Sequence, residues 1–319
     1  MDYFTEIIGQ ERALLALRKA LKTSKINHAY LFAGPVGVGK LTTARAFARA
    51  IILESDPQGE AYLKENAHPD FMLIEKTENK TLIGIEQINR NMEPWLALKP
   101  YRASRRVVII KEAHLLSLPA ANALLKTLEE PPGHAVIILV SSEQNLLETI
   151  ISRCQLIRFS PVAELSIRDF LLSRGAEAER ATHLARLGQG SIAAAVLLAE
   201  EEGLEELWNN AQTIINDLST GHEIEVFKCA DQMEKKPALM AGLLTTLLRD
   251  IYIFQVTGRQ ELLILEGNLK LYRDFKKLDP ERVQSALMKI DDLRKQYRGP
   301  VSSLLLSINI SYQLGDALK

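Results

Sequence analysis

The sequence predicts an α/β domain built on a parallel sheet and followed by helical domains. Two observations lead to this prediction. Short apolar runs alternate with helix-period segments as far as about residue 159, and from residue 166 onward no convincing strand pattern remains. The apolar runs are residues 29–33, 71–74, 107–110, 135–140 and 156–159. Continuous runs of this kind are typical of strands buried on both faces, and their alternation with helices predicts parallel βαβ units.

Helical periodicity accounts for the segments between these strands. Residues 11–23 place Leu14, Leu17 and Leu21 on one face, and a second helix begins at Lys40 and runs to about residue 52. Apolar residues at this spacing indicate an amphipathic helix that packs against the sheet.

Breaks in the helical pattern divide the second half of the chain. Short helices are interrupted at Gly175 and at residues 188–190, and the pattern becomes helical again from about Gly203. We therefore predict three domains. They are an α/β domain over residues 1–160, a small helical lid over 161–203 and an all-α domain over 204–319.

Composition excludes several classes of protein. The 319 residues carry 39 Lys and Arg against 40 Asp and Glu, a formal net charge of -1. A protein that binds nucleic acid through bulk charge would be strongly basic. Cys154 and Cys229 are too few for a disulfide framework or a Cys-only zinc site, and they fit a reducing compartment. Because no signal pattern and no apolar run of roughly 18 residues is present, we expect a soluble cytoplasmic protein.

A phosphate-loop motif lies between the first predicted strand and the helix that begins at Lys40. Residues 34–40 match the pattern G-x-x-x-x-G-K. Glycines let backbone N–H groups turn toward phosphate oxygens, and the helix N-terminus adds partial positive charge. We therefore predict Gly34, Gly37, Gly39 and Lys40 as a phosphate-binding set.

Both positions that would hold Mg²⁺ carry unsuitable residues. Leu41 stands where a Ser or Thr hydroxyl would bind the metal, and Thr42 points about 100° away around the helix. Lys111 follows the strand at 107–110, where an Asp would hold the metal. The sequence thus predicts a nucleotide-binding fold that no longer hydrolyses and has no metal site. Any retained ligand would be a nucleotide, phosphate or sulfate bound without Mg²⁺.

Four motifs together resemble one family. They are Ile8-Gly9-Gln10, His68-Pro69-Asp70, the segment NALLKTLEEPP at 122–132, and Ser152-Arg153-Cys154. The chain resembles the clamp-loader subunits of bacterial DNA polymerase III, which belong to the AAA+ P-loop proteins. The degraded phosphate loop, Lys111 and the intact Ser-Arg-Cys resemble the delta-prime type in particular. The resemblance covers about residues 4–200, and beyond them it rests on length and helical character alone.

The resemblance implies a stator, a rigid subunit of a five-subunit ring that uses ATP to place the sliding clamp on primed DNA. The implied partners are the other loader subunits and, through the complex, the clamp and DNA, with no membrane. Arg153 would be an arginine finger, acting in trans on the neighbouring subunit's ATP, where a guanidinium neutralises transition-state charge. Residues 204–319 would form the helical collar. No cofactor would be required, and polymerase activity would belong to the holoenzyme.

Two departures from the family pattern carry further expectations. Many relatives have a four-cysteine zinc module after the phosphate-loop helix, but residues 54–67 contain no cysteine, so we expect no zinc. Hydrolysing relatives have a sensor arginine shortly after a Gly-Ser pair, whereas Gly190-Ser191 is followed by Ile192, Ala193 and Ala194. This is a third loss from the hydrolytic machinery.

Other interpretations stay open at the level of sequence. One is an active ATPase loader subunit of the same fold, and another is an adaptor that senses nucleotide and changes its affinity for partners. The basic segment 99–106 could contact a DNA backbone or an acidic protein face, or it could be an ordinary solvated loop.

Overall fold

A computed structural model describes residues 2–77, 80–142, 146–265, 269–297 and 301–319. The chain forms two compact units. Unit 1 comprises Met1–Gly175 and Gly188–Ala195, and unit 2 comprises Ala176–Leu187 and Val196–Lys319. The residues of the predicted lid are divided between the two units, and the three-domain division stays a prediction.

Unit 1 contains a five-stranded sheet in which every pairing is parallel. Its strands are β1 (Ala29–Ala33), β2 (Phe71–Ile74), β3 (Arg106–Ile110), β4 (Ala135–Ser141) and β5 (Gln155–Arg158). Their order is β2-β3-β4-β1-β5. The predicted α/β fold with a parallel sheet is therefore confirmed, with strand ends displaced by at most one residue.

Helices precede, connect and follow the strands of unit 1. They are α1 (Glu11–Lys22), α2 (Lys40–Leu53), α3 (Glu60–Lys64), α4 (Glu93–Ala97), α5 (Leu118–Glu129), α6 (Glu148–Ile151) and α7 (Glu164–Ser173). Short 3-10 turns at Pro57–Gly59 and Ala113–Leu115 and a π-helical stretch at Gln87–Met92 complete the described connections.

The helices that follow are α8 (Ala178–Leu187), α9 (Ile192–Ala199), α10 (Leu204–Ser219), α11 (Glu223–Met233), α12 (Pro237–Thr257), α13 (Leu269–Asp274), α14 (Pro280–Gln296) and α15 (Ser303–Ala317), with a 3-10 turn at Gln260–Leu262. The described part of unit 2 contains no strand, as the sequence predicts.

Each unit has its own apolar core. In unit 1, β3 and β4 are buried along their whole length, which explains why their sequences are continuous apolar runs rather than alternating ones. In unit 2, α10, α11, α12, α14 and α15 contribute to one core, in which Ile214, Leu247, Ile290 and Ile310 have no exposed surface.

Helix α12 is the one helix in the described residues that is long and apolar enough to cross a membrane, judged by length and composition. Half of its most apolar window is buried in unit 2. Leu243, Leu244, Leu247 and Leu248 belong to the core there. A core helix passes this test as readily as a membrane span does.

Candidate phosphate loop and arginine turn

The phosphate loop connects β1 to α2, as the motif requires. Gly37 has a φ of +77°, and Gly34 runs so close to β5 that a Cβ there would lie 2.3 Å from the carbonyl oxygen of Phe159. The loop therefore needs glycine at position 37 because of the backbone angle and at position 34 because there is no space for a Cβ. Gly39 precedes the first residue of α2 in the left-handed conformation.

Lys40 is folded back onto its own loop. Its Nζ donates hydrogen bonds to the carbonyl oxygens of Gly34, at 2.6 Å, and of Pro35. The side chain is buried, and burial lowers the pKa of Lys40 to about 8. The lysine that would reach outer phosphates is thus bound by carbonyls of the loop.

The segment from Gly188 to Ala195 packs against the phosphate loop inside unit 1. The backbone N–H of Ala193 donates to the carbonyl oxygen of Gly37 at 3.1 Å. A Cβ at Gly37 would lie 2.0 Å from the Oγ of Ser191. Ser191 of the Gly-Ser pair and Ala193, which lies where a sensor arginine is expected, therefore both lie against the phosphate loop.

Gln10 joins the loop to the end of the sheet, a role that the sequence did not reveal. Its buried amide nitrogen donates to the carbonyl oxygens of Val38, at 3.2 Å, and Ser160, at 2.8 Å, while its oxygen accepts from the N–H of Ser160. The motif Ile8-Gly9-Gln10 thus holds the loop in place.

The two positions expected to bind a metal hold no suitable ligands. Leu41 presents an alkyl group, and the Nζ of Lys111 forms an ion pair with the Oε2 of Glu75 at 2.9 Å. Within the described ranges, no group of three or more His, Cys, Asp or Glu side chains is arranged to hold a metal ion. The expectations of no zinc and no bound metal stay predictions.

The Ser-Arg-Cys motif forms a tight turn after α6. The Oγ of Ser152 and the Nη1 of Arg153 both donate to the carbonyl oxygen of Thr149, at 3.1 and 2.9 Å. The Nη2 of Arg153 forms an ion pair with the Oε1 of Glu129 at 2.7 Å. Cys154 packs against the core of unit 1, and burial raises the pKa of its thiol to about 12. Serine and cysteine thus fix the turn while arginine remains partly exposed.

Arg153 and the phosphate loop lie at opposite ends of the parallel strands. Strands β1 and β5 are parallel, with Tyr30 opposite Gln155 and Ala33 opposite Arg158. The loop follows the carboxyl end of β1, whereas Arg153 precedes the amino end of β5. The length of β1, five residues at about 3.3 Å each, separates these ends by about 16 Å. An arginine side chain is too short to span this distance, so Arg153 does not serve the phosphate loop of its own chain.

Some of the basic side chains in segment 99–106 form ion pairs and hydrogen bonds within unit 1. Arg102 forms an ion pair with Asp56 at 2.7 Å, and its partner raises the pKa of the guanidinium. Arg106 is buried and donates to the carbonyl oxygens of Trp95 and Lys99 at 2.6 and 3.0 Å. Two of the four cations in this segment are therefore engaged by the protein itself.

The motif His68-Pro69-Asp70 organises this same segment. The buried carboxylate of Asp70 accepts three backbone N–H bonds, from Tyr101, Arg102 and Ala103, at 2.7 to 2.8 Å. His68 accepts from the N–H of Asp70 through Nδ1, so its Nε2 carries the proton that it shares with Asp56 at 3.1 Å. The sequence did not reveal this cluster, because its members are brought together only by the fold.

Comparison with known proteins agrees with these features. Residues 9–163 match the family described as "DNA polymerase III, delta subunit". DNA polymerase III subunit tau of Bacillus subtilis is 37% identical over 173 residues, which cover 51% of this chain and 30% of that protein. Subunit tau/gamma of Haemophilus influenzae is 29% identical over 248 residues, covering 72% of this chain and 36% of that protein. The chain thus matches about a third of the length of these two relatives.

A solved structure is similar over a longer stretch. A DNA polymerase III gamma subunit-related protein of Thermotoga maritima covers 95% of this chain and 99% of its own, with 20% identity and a TM-score of 0.46. The sheet order, the phosphate loop after β1 and the family match agree on the α/β part of the chain. Residues 9–163 therefore resemble the clamp-loader subunits of bacterial DNA polymerase III, and this α/β part of the chain carries the family likeness.

Proposed function

We propose that the chain is a delta-prime-type subunit of the DNA polymerase III clamp loader, which hydrolyses no ATP itself and supplies Arg153 to the ATP site of the neighbouring subunit. In this role it acts in the cytoplasm as a stator that helps its partners load the sliding clamp onto primed DNA. The partners are the other subunits of a hetero-oligomeric ring.

The observation that carries the proposal is the ion pair between Lys111 and Glu75. The ammonium group of Lys111 stands at the position where a hydrolysing subunit places a metal-binding Asp, and Glu75 holds it at 2.9 Å. Leu41 removes the second ligand, and Ala193 and Ala194 stand where a sensor arginine would be. Without Mg²⁺, the charge that develops on a transferring phosphoryl group lacks the counter-charge that the metal ion supplies.

The distance between Arg153 and the phosphate loop supports the second part of the proposal. Because these two features lie at opposite ends of the parallel strands, Arg153 is suited to a phosphate bound by a neighbouring chain. The Arg153 side chain is about one third exposed, so an approaching subunit can reach it.

The matched relatives favour a second candidate, an active loader ATPase of the tau/gamma type, because they are tau and gamma subunits. In that case Thr42 or a water would have to replace the ligand that Leu41 lacks. A phosphate loop would then bind Mg²⁺-ATP in spite of Lys111.

The purified chain with saturating Mg²⁺-ATP and primed DNA separates the two candidates. We expect no turnover from the stator. Turnover on the order of 1 s⁻¹ that is lost in Lys40→Ala would establish the active ATPase instead.

Arg153→Ala tests the trans role in the mixed complex. We expect hydrolysis at the adjacent subunit's site to fall by on the order of 10³-fold, as is typical for removal of an arginine finger. Unchanged hydrolysis at that site, with the complex still assembled, would refute the role.

A further inference from the structure

We infer that Glu129 is the positioning residue for Arg153, an inference that rests on the proposed trans role of that arginine. The Oε1 of Glu129 accepts from the Nη2 of Arg153 at 2.7 Å, and the carbonyl oxygen of Thr149 accepts from Nη1 at 2.9 Å. These two acceptors come from different helices, α5 and α6, and together they fix the plane of the guanidinium.

Glu129 lies at a position where a carboxylate is electrostatically unfavourable. It is the last residue of α5, where the helix dipole is negative and a carboxylate is disfavoured. Glu130, the capping residue, adds a second carboxylate at the same helix end. Residues that conflict with the local sequence preferences of a helix are expected mainly at functional sites. Here the positive guanidinium of Arg153 compensates the negative carboxylate of Glu129.

The contacts leave the outer donors of Arg153 available. A guanidinium has five N–H groups in a planar fork. The described contacts use one on Nη1 and one on Nη2, so one N–H on each of these atoms and the N–H of Nε remain for phosphoryl oxygens. Glu129 and Thr149 hold the guanidinium from its own chain without using all of its donors.

Restricting the Arg153 side chain through Glu129 should affect the rate of ATP hydrolysis more than the folding stability of the chain. A free arginine loses considerable rotamer entropy when it is fixed in one geometry, and Glu129 would restrict that freedom before the neighbour binds ATP. An exposed ion pair by itself contributes little to folding stability. A displacement of about 1 Å in a positioned group can cost about 10²-fold in rate.

The test compares Glu129→Ala with Glu130→Ala in the mixed complex. Both variants remove one exposed carboxylate from the same helix end, but among the described residues only Glu129 forms the ion pair with Arg153. We expect Glu129→Ala to lower kcat at the adjacent ATP site by roughly tenfold, with KM for ATP unchanged. Glu130→Ala should leave both constants unchanged, and the unfolding temperature of the Glu129→Ala chain should stay the same or rise.

The outcomes separate this inference from the proposed function. If Arg153→Ala reduces hydrolysis but Glu129→Ala does not, the positioning role is wrong while the trans role stands. An increase in kcat for Glu129→Ala would also overturn it, because Glu129 would then restrain the finger rather than place it. If Arg153→Ala itself has no effect in an assembled complex, the proposed function fails first.

Discussion

At the scale of single residues, Gly37 shows how a backbone angle and a long-range contact act at one position. Its φ of +77° disfavours any residue with a Cβ, and the Oγ of Ser191 would lie 2.0 Å from that atom. We expect Gly37→Ala to lower the free energy of unfolding by about 1–3 kcal/mol, measured by urea denaturation.

Gly133→Ala provides a matched control for this prediction. A Cβ at Gly133 would have no atom within 4 Å and needs no unusual φ. Its free energy of unfolding should stay the same or rise slightly, because alanine reduces the freedom of the unfolded chain. Equal losses in the two variants would contradict the contact between Ser191 and the loop.

Lys40 makes stability depend on pH in a predictable direction. Burial lowers its pKa to about 8 from the ordinary 10.5. Between these values the unfolded chain binds more protons than the folded chain, so stability through this group rises with pH from 8 to 10.5 and the gain is absent below pH 8. The difference in unfolding free energy between the parent chain and Lys40→Met should therefore grow in favour of the parent across that window. A difference that is constant or falls would contradict the prediction.

At the scale of elements, α5 depends on its N-cap. The Oγ of Ser117 accepts from the N–H of Ala120 at 3.3 Å, whereas Ser302, at the N-cap of α15, makes no such bond. We expect Ser117→Ala to cost about 1 kcal/mol of unfolding free energy and Ser302→Ala to cost much less. Denaturant titration of both variants measures the difference, and a larger loss for Ser302→Ala would refute the assignment.

The strands could be predicted from sequence because burial on both faces leaves a local signal. The runs at 29–33 and 71–74 match β1 and β2 at both ends, and the others differ by one residue. The π-helical stretch at Gln87–Met92 left no such signal, because its residues suit an α-helix equally well. The order of the strands in the sheet could not be predicted from the sequence either, because it depends on which apolar runs pair with one another and not on any single run.

The candidate site also has some features that could be predicted from the sequence and others that could not. The glycines and Lys40 are contiguous, so their motif could be predicted, and Lys111 was found because it follows a strand directly. The ion pair between Glu129 and Arg153 joins residues 24 positions apart, and the contact between Ser191 and Gly37 joins far more distant ones. Such contacts exist only once the sheet has assembled.

At the scale of the whole molecule, each unit contains one thiol that can report on its opening. Burial raises the pKa of both Cys154 and Cys229 to about 12, so at pH 8 the thiolate fraction is on the order of 10⁻⁴. We expect both to react slowly with a thiol reagent in the native chain and rapidly in denaturant. Cys154, which is partly exposed, should react before the fully buried Cys229. Rapid native reaction of Cys229 would contradict the buried core of unit 2.

The position of β1 between β4 and β5 in the sheet has a consequence for biosynthesis. Its two neighbours, β4 and β5, are about 100 and 120 residues further along the chain. At about 5–20 residues per second, a ribosome needs on the order of 10 s to deliver both partners after β1 has been made. During that interval the segment AYLFA has neither partner edge, and the nascent chain is most exposed to aggregation and to chaperones. Substitutions that delay the pairing of β4 or β5 should therefore reduce the yield of soluble chain more than they reduce the stability of chains that have folded.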